Sequence, residues 1–266
     1  MTSSPTAHRS LAGAFGAGAG VGALGGLIGL GGAEFRLPLL ISLFRFPPLE
    51  AVIINKAMSL VVVAAALVFR TRTIPLLEIA DHWSIVANLL AGSLVGAWLG
   101  AGLAVRMTSR MLYRVIAIML VLMAAALLFA HGLTSHAALA QGPWLVTFGL
   151  AAGLAIGMVA ALMGVAGGEL LIPTIVLLFG ADIRLAGSLS LAISLPTMLV
   201  AFARYSQDKS FVVLRTHSRF VLLLAIGSIV GAFLGGMLLG LVSSNVLIPL
   251  LAAILLISAV KVWRHD

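Results

Sequence analysis

The two halves of this sequence are copies of one unit. A shift of 135 positions places residues 27–34 over 162–169, and 92–100 over 227–235, without a gap. Seven of the nine positions in the second pair of segments are identical. A duplication of this kind predicts two similar structural units that pack against each other. Glycines spaced four apart in the second pair predict a close helix-packing face; they are Gly92, Gly96, Gly100, Gly227, Gly231 and Gly235.

Long apolar runs separate the few charged residues of each half. Of the 266 residues, 62% are hydrophobic and 9% are charged, whereas soluble domains carry about 25% charged residues. Runs of about 20 apolar residues can span a bilayer, and backbone polar groups in lipid must be paired internally. The runs are continuous and do not alternate with polar residues, which excludes a β-barrel. We therefore predict an all-α, polytopic membrane protein with one membrane domain.

Each half is predicted to contain an interrupted apolar segment followed by three ordinary spans. The interrupted segments begin at about 11–30 and 145–164, and each continues into a glycine-rich break, a glutamate and a short apolar piece. The ordinary spans are predicted at about 50–69, 84–105, 111–130, 186–203, 219–240 and 246–263. The resulting divisions are a tail at 1–10, a first repeat at 11–131, a linker at 132–143 and a second repeat at 144–266.

The positions of the basic residues predict the topology. Lys and Arg are concentrated at 106–114, at 204–219 and at the C-terminal end, and they are absent from 132–143 and 241–245. Cytoplasmic loops of membrane proteins are enriched in these residues. With the basic segments in the cytoplasm, each half must cross the membrane an odd number of times. This favours a re-entrant helix pair over one long broken crossing, and it predicts inverted repeats, about eight helical membrane segments and cytoplasmic termini.

The paired breaks predict a transporter. A helix that starts inside the membrane has unpaired N–H groups, which carry about half a positive charge. Such groups are tolerated at that depth only inside protein or beside a cavity. Two of these helix starts predict an anion site near the middle of the membrane, and broken helices in duplicated halves are typical of secondary transporters. The glycines expected to allow close approach to the anion are Gly31, Gly32, Gly167 and Gly168.

The two breaks carry related motifs. They read Gly-Leu-Gly-Gly-Ala-Glu-Phe-Arg-Leu-Pro at 29–38 and Gly-Val-Ala-Gly-Gly-Glu-Leu-Leu-Ile-Pro at 164–173. We expect Pro38 and Pro173 in the first turn of each short second helix, where no N–H is needed. The motifs resemble the duplicated motif of the TauE/SafE sulfite exporter family, and the resemblance covers nearly the whole chain. It implies a bacterial inner-membrane carrier that exports small sulfur oxyanions or organosulfonates.

Two cations distinguish the first half from the second. Lys56 lies about seven residues into a predicted span, roughly 10 Å deep at 1.5 Å per residue, where a charge costs at least about 2.5 kcal/mol. It is a candidate to attract the anion or to pair with Glu34, and extension to the membrane surface is the alternative. Arg36, in the first break, is a candidate to bind sulfonate oxygens through two N–H groups or to anchor the chain at the interface.

Glutamate follows the glycines of both breaks. Glu34 and Glu169 are candidates to carry a proton during transport, or to cap the N–H groups of their own helices, and the sequence leaves both interpretations open. Contact with an anionic substrate would require a bound proton or a cation partner, because a bare carboxylate repels an anion. Polar side chains at matching depth in the following spans complete the candidate substrate site: Asn55, Ser59, Ser188, Ser190 and Ser194.

The expected partners are a small anion and the lipid bilayer. We attribute the net charge of +8 to cytoplasmic loops and expect no nucleic acid. No cysteine is present and the histidines lack metal-like spacing, so no metal is expected. A dinucleotide-like glycine pattern at 20–25 follows no strand, so no cofactor is expected. The alternatives are a carrier for another anion or a neutral solute, and an intramembrane hydrolase with Ser59 as nucleophile and Lys56 as base.

Overall fold

The computed structural model describes residues 10–28, 32–70, 76–130, 142–237 and 244–264, and the long regular elements there are all α-helices, as predicted. The first half contains α1 (Leu11–Ile28), α2 (Ala33–Ser42), α3 (Pro48–Arg70), α4 (Leu76–Asp81), α5 (Trp83–Arg106) and α6 (Ser109–Ala130). The second half contains α7 (Pro143–Met163), α8 (Gly168–Phe179), α9 (Ile183–Tyr205), α10 (Val213–Thr216), α11 (Ser218–Met237) and α12 (Ser244–Trp263). Most of the tail predicted at 1–10, most of the linker predicted at 132–143, and Gly31 lie outside the described residues.

Helices lie at all six predicted ordinary spans. Among the described residues, five helices are long and apolar enough to cross a membrane, so the protein is a multi-pass membrane protein. They are Trp83–Arg106, Ser109–Leu128, Pro143–Met163, Leu185–Tyr205 and Ser218–Met237. Shorter apolar helices lie at Leu11–Leu27, Gly168–Phe179 and Pro249–Trp263. The predicted total of about eight membrane segments would require these shorter helices to enter the bilayer as well.

Glycine-rich helices interlock the two halves. Helix α1 of the first half packs along α11 of the second, and α7 of the second half packs along α5 of the first. A methyl group added to Gly22 would overlap the carbonyl oxygen of Ser228, and one added to Gly157 would overlap the carbonyl oxygen of Ser93. Gly157 and Ser228 lie 135 positions after Gly22 and Ser93. The repeat in the sequence therefore recurs as a repeat of contacts, and the predicted glycine packing face is present.

Helix α3 lies inside the protein. The helix packs against α2, α9 and α11, and its residues 51–56 are all buried. Asn55, Lys56 and Ser59 on this helix are thus surrounded by protein and not by lipid. Charged side chains inside membranes are found almost only in such interior positions.

Both interrupted segments are broken at their glycines. The described chain has no helix between the end of α1 and the start of α2, at Gly32, and none between α7 and α8, at 164–167. Gly32 and Gly167 immediately precede the short helices α2 and α8 with left-handed φ angles of 68° and 85°. Residues with a side chain rarely adopt this conformation, so glycine permits the sharp entry into each short helix.

The prolines lie farther along than predicted. Pro38 and Pro173 occupy the sixth positions of α2 and α8, not the first turn. The helices continue through them, so the prolines do not form the breaks. Since proline has no N–H, the carbonyls of Glu34 and Glu169, four residues earlier, lack their usual helical donor.

Candidate functional site at the helix breaks

One amide group joins the two breaks. Asn55 Nδ2 donates hydrogen bonds to the carbonyl oxygens of Ala33 and Met163, both at 3.0 Å. Ala33 is the first residue of α2 and Met163 is the last residue of α7. Breaks that are far apart in the sequence therefore converge on a single side chain of α3, which is fully buried.

Lys56 caps the end of α7. The helix ends in a Schellman motif. The N–H of Val165 donates a hydrogen bond to the Ala160 carbonyl at 3.1 Å, and the N–H of Gly164 donates one to the Ala161 carbonyl at 3.0 Å. Lys56 Nζ donates to the carbonyl oxygens of Ala160 at 2.8 Å and Val165 at 2.7 Å. This end of a helix carries partial negative charge, so the ammonium is favourably placed. Lys56 is buried and does not extend to the membrane surface.

Two hydroxyl groups complete the cap of α7. Ser59 Oγ donates to the Gly164 carbonyl at 3.2 Å, and Tyr205 OH donates to the Ala161 carbonyl at 2.9 Å. Side chains of α3 and α9 thus add hydrogen bonds to backbone carbonyls at this break. Tyr205 was not among the predicted site residues, because it lies at the end of a span and has no tyrosine counterpart in the first half.

Arg36 links three helices inside the protein. Its Nε donates to Asn55 Oδ1 at 2.8 Å, and its Nη2 donates to Ser59 Oγ at 2.9 Å. Its Nη1 lies 3.4 Å from Ser228 Oγ on α11. The side chain is only 1% exposed, so it is not an interfacial anchor. The glycine spacing around Ser228 predicted only a packing helix, although this serine repeats the position of Ser93.

The second half lacks these cations. Leucines at 171 and 191 replace the arginine and lysine of the first half. The predicted serines of this half are all buried: Ser188, Ser190 and Ser194. Ser190 Oγ donates to the Gly187 carbonyl at 2.9 Å, while Ser194 Oγ has no hydrogen-bond partner in the described part of the chain. The polar cluster is therefore asymmetric, and both of its positive charges come from the first half.

The two glutamates interact across the breaks. Glu34 and Glu169 are the second residues of α2 and α8, and their carboxyl groups act on each other electrostatically. The guanidinium of Arg36 also interacts electrostatically with the carboxyl group of Glu34, and the ammonium of Lys56 interacts in the same way with that of Glu169. Glu34 Oε2 and both carboxyl oxygens of Glu169 are buried, yet none has a hydrogen-bond partner among the described residues. These oxygens belong to the first turns of α2 and α8, the positive ends of the two helices.

The contacts do not form the serine–lysine pair of a hydrolase. Ser59 Oγ donates to the Gly164 carbonyl, and Lys56 Nζ donates to two other carbonyls. Over the described ranges, no group of three or more His, Asp or Glu side chains could hold a metal ion. Helix ends, cations and carboxyl groups are the charged features that the described residues bring together here.

Comparison with known proteins gives one family. The family model described as Sulfite exporter TauE/SafE matches residues 14–262. The match extends from the first turn of α1 to the last turn of α12 and includes both breaks. No curated protein and no solved structure matches the chain significantly.

Proposed function

The chain belongs to the TauE/SafE sulfite exporter family, and we propose that it exports sulfite or an organosulfonate across the bacterial inner membrane by alternating access. The main support is the convergence of the two helix breaks on Asn55 within a buried polar cluster. Broken helices from two related halves are the usual components of substrate sites in secondary transporters.

In this proposal the anion binds at the starts of α2 and α8. Two positive helix ends and two cations favour a negative guest there. Lys56 has three N–H donors and uses two for the carbonyls of Ala160 and Val165, so one donor is available for the anion. Ser194 Oγ, buried and without a partner in the described chain, is a further donor. The glycines that would allow close approach of substrate oxygens are Gly31, Gly32, Gly167 and Gly168.

The transport motion is proposed to occur between the interlocked helix pairs. Within the α1–α11 and α5–α7 pairs the backbones approach too closely for easy sliding. Each pair contains one helix from each half, so a rocking of one pair against the other would expose the central cluster alternately. We further propose that the halves are inverted across the membrane and that both termini are cytoplasmic, as the loop charges favour.

Purified protein in lipid vesicles would test the transport activity. We expect saturable sulfite flux above that of protein-free vesicles, with competition by organosulfonates. Flux of another anion or a neutral solute, without sulfite flux, would favour the alternative carrier. Labelling of Ser59 by a serine-reactive probe, without flux of any solute, would instead favour a hydrolase. Flux equal to that of protein-free vesicles for every solute would contradict a carrier function.

A further inference from the structure

The charged groups around the breaks form a small isolated set. Glu34 and Arg36 lie in α2, Lys56 in α3 and Glu169 in α8. The neighbouring helices α1 and α7 contain no charged residue. The helices α6, α9, α11 and α12, which also pack nearby, carry their described charges close to their ends: Arg110, Arg114, Arg204, Arg219 and Lys261. Among the described side chains, two acids and two bases therefore carry the charge beside the breaks.

The two bases have other hydrogen-bond partners. Lys56 donates to backbone carbonyls at the C-terminal end of α7 and in the break after it. Arg36 donates to the side chains of Asn55, Ser59 and Ser228. The carboxyl groups meanwhile have three buried oxygens without donors in the described chain. Buried polar atoms are nearly always hydrogen-bonded, and leaving one unpaired is unfavourable. Two adjacent ionised carboxylates would also repel each other.

We propose that Glu34 and Glu169 share one proton across the two helix breaks, and that this proton is the ion coupled to transport. With one proton, one carboxyl group donates a hydrogen bond and the other accepts it. The same pairing of like acids operates in carboxylate dyads. The coupling part of this proposal rests on the proposed function, whereas the shared proton does not.

Charge balance links the proton to the substrate. With both glutamates ionised, the four side chains sum to zero, and with one shared proton they sum to +1. A monovalent anion would then restore neutrality in a region where uncompensated charge is unfavourable. Binding of the proton and binding of the anion therefore favour each other, and by linkage each increases the affinity for the other by the same factor. The proton and the anion are therefore expected to cross together, so that export requires an outward substrate gradient larger than the opposing proton gradient.

Infrared spectroscopy of the purified protein in lipid tests the shared proton without transport. At neutral pH we expect a carboxylic-acid C=O band that shifts in deuterium oxide. Glu34→Gln and Glu169→Gln should each remove the whole band, because the new amide can donate to the remaining carboxylate. Glu50→Gln, in the first turn of α3 and outside the cluster, is the matched control and should leave the band unchanged.

Several infrared results would overturn the shared proton. They are absence of the band from the unsubstituted protein, loss of half the band in each single variant, or loss in one variant only. The unsubstituted protein alone gives the first result, so poor folding of a variant cannot hide it. A cation bound between the carboxylates would instead give no acid band and a carboxylate band that shifts with sodium concentration.

Flux measurements test the coupling separately. Sulfite flux should respond to a pH gradient in the unsubstituted protein and in Glu50→Gln, and should become independent of the gradient in Glu34→Gln and Glu169→Gln. Sulfite flux without the acid band would contradict the shared proton and leave the carrier function standing. The acid band without flux of any anion would contradict the carrier function and leave the proton site standing. A gradient response retained in both Gln variants would contradict the coupling.

Discussion

The close approach of α1 and α11 predicts opposite effects for two neighbouring alanine substitutions. A methyl group at Gly22 would overlap the Ser228 carbonyl oxygen and lie 2.9 Å from the Ala232 nitrogen, whereas one at Gly20 would meet no atom within 4 Å. Overpacking costs typically about 1–3 kcal/mol. The cost at Gly22 should be in the upper part of this range, because the overlapped atoms are backbone and cannot rotate away. Alanine also favours a helix over glycine by about 1 kcal/mol.

The expected net effect for Gly22→Ala is a loss of about 1–2 kcal/mol of stability, after the helix preference is subtracted from the packing cost. Gly20→Ala should be neutral or stabilising by up to about 1 kcal/mol. Thermal unfolding in lipid nanodiscs would measure both. In soluble proteins of similar size, a change of about 1 kcal/mol in stability shifts the melting temperature by about 2–4 °C. The melting temperatures of the two variants should therefore differ by several degrees.

The second half supplies an internal replicate of this test. Gly157, the counterpart of Gly22, makes the same approach to the Ser93 carbonyl. Gly157→Ala should therefore destabilise the protein about as much as Gly22→Ala. Equal stability of Gly22→Ala and Gly20→Ala would refute the close helix contact. A large effect at Gly22 with none at Gly157 would refute the equivalence of the two interfaces.

Two further predictions concern the site and the topology. Lys56→Ala removes two charge-assisted hydrogen bonds, to the carbonyls of Ala160 and Val165, each worth about 1.5–3 kcal/mol. It should abolish sulfite flux while the protein still reaches the membrane. Leu191→Ala, at the equivalent position of the second half, is the control, and unchanged flux in Lys56→Ala would remove this lysine from the site. A reporter active only in the cytoplasm, fused after Asp266, should be active; activity only of a periplasmic reporter would overturn the predicted topology.

Much of the architecture follows from local properties of the sequence. The helices match the predicted spans because lipid leaves the backbone no other partner over long apolar runs. The breaks match because Gly32 and Gly167 must adopt a left-handed conformation. Asn55 and Lys56 stood out as polar residues in an apolar span, where a group of this kind needs a protein partner.

The partners of these residues could not be predicted in the same way. Residue spacing defines the faces of a helix, but it does not show which helix covers them, so the interlocking of α1 with α11 had no local signal. The sequence also could not show that the carbonyls of α7 would engage Lys56 and Tyr205. The prolines were placed incorrectly because a preference for the first turn does not prevent proline from lying deeper when its helix is short.

The one-sided position of the lysine cap has a consequence for the resting state of a carrier. If the two halves exchanged roles during transport and were identical, the inward-facing and outward-facing forms would be equivalent, with equal free energy. Lys56 stabilises the break of the second half only, and Leu191 offers no equivalent to the first. A difference of about 1.4 kcal/mol between the forms corresponds to a population ratio of about ten. We therefore expect the empty protein to favour one orientation, so that net flux begins from a defined side of the membrane.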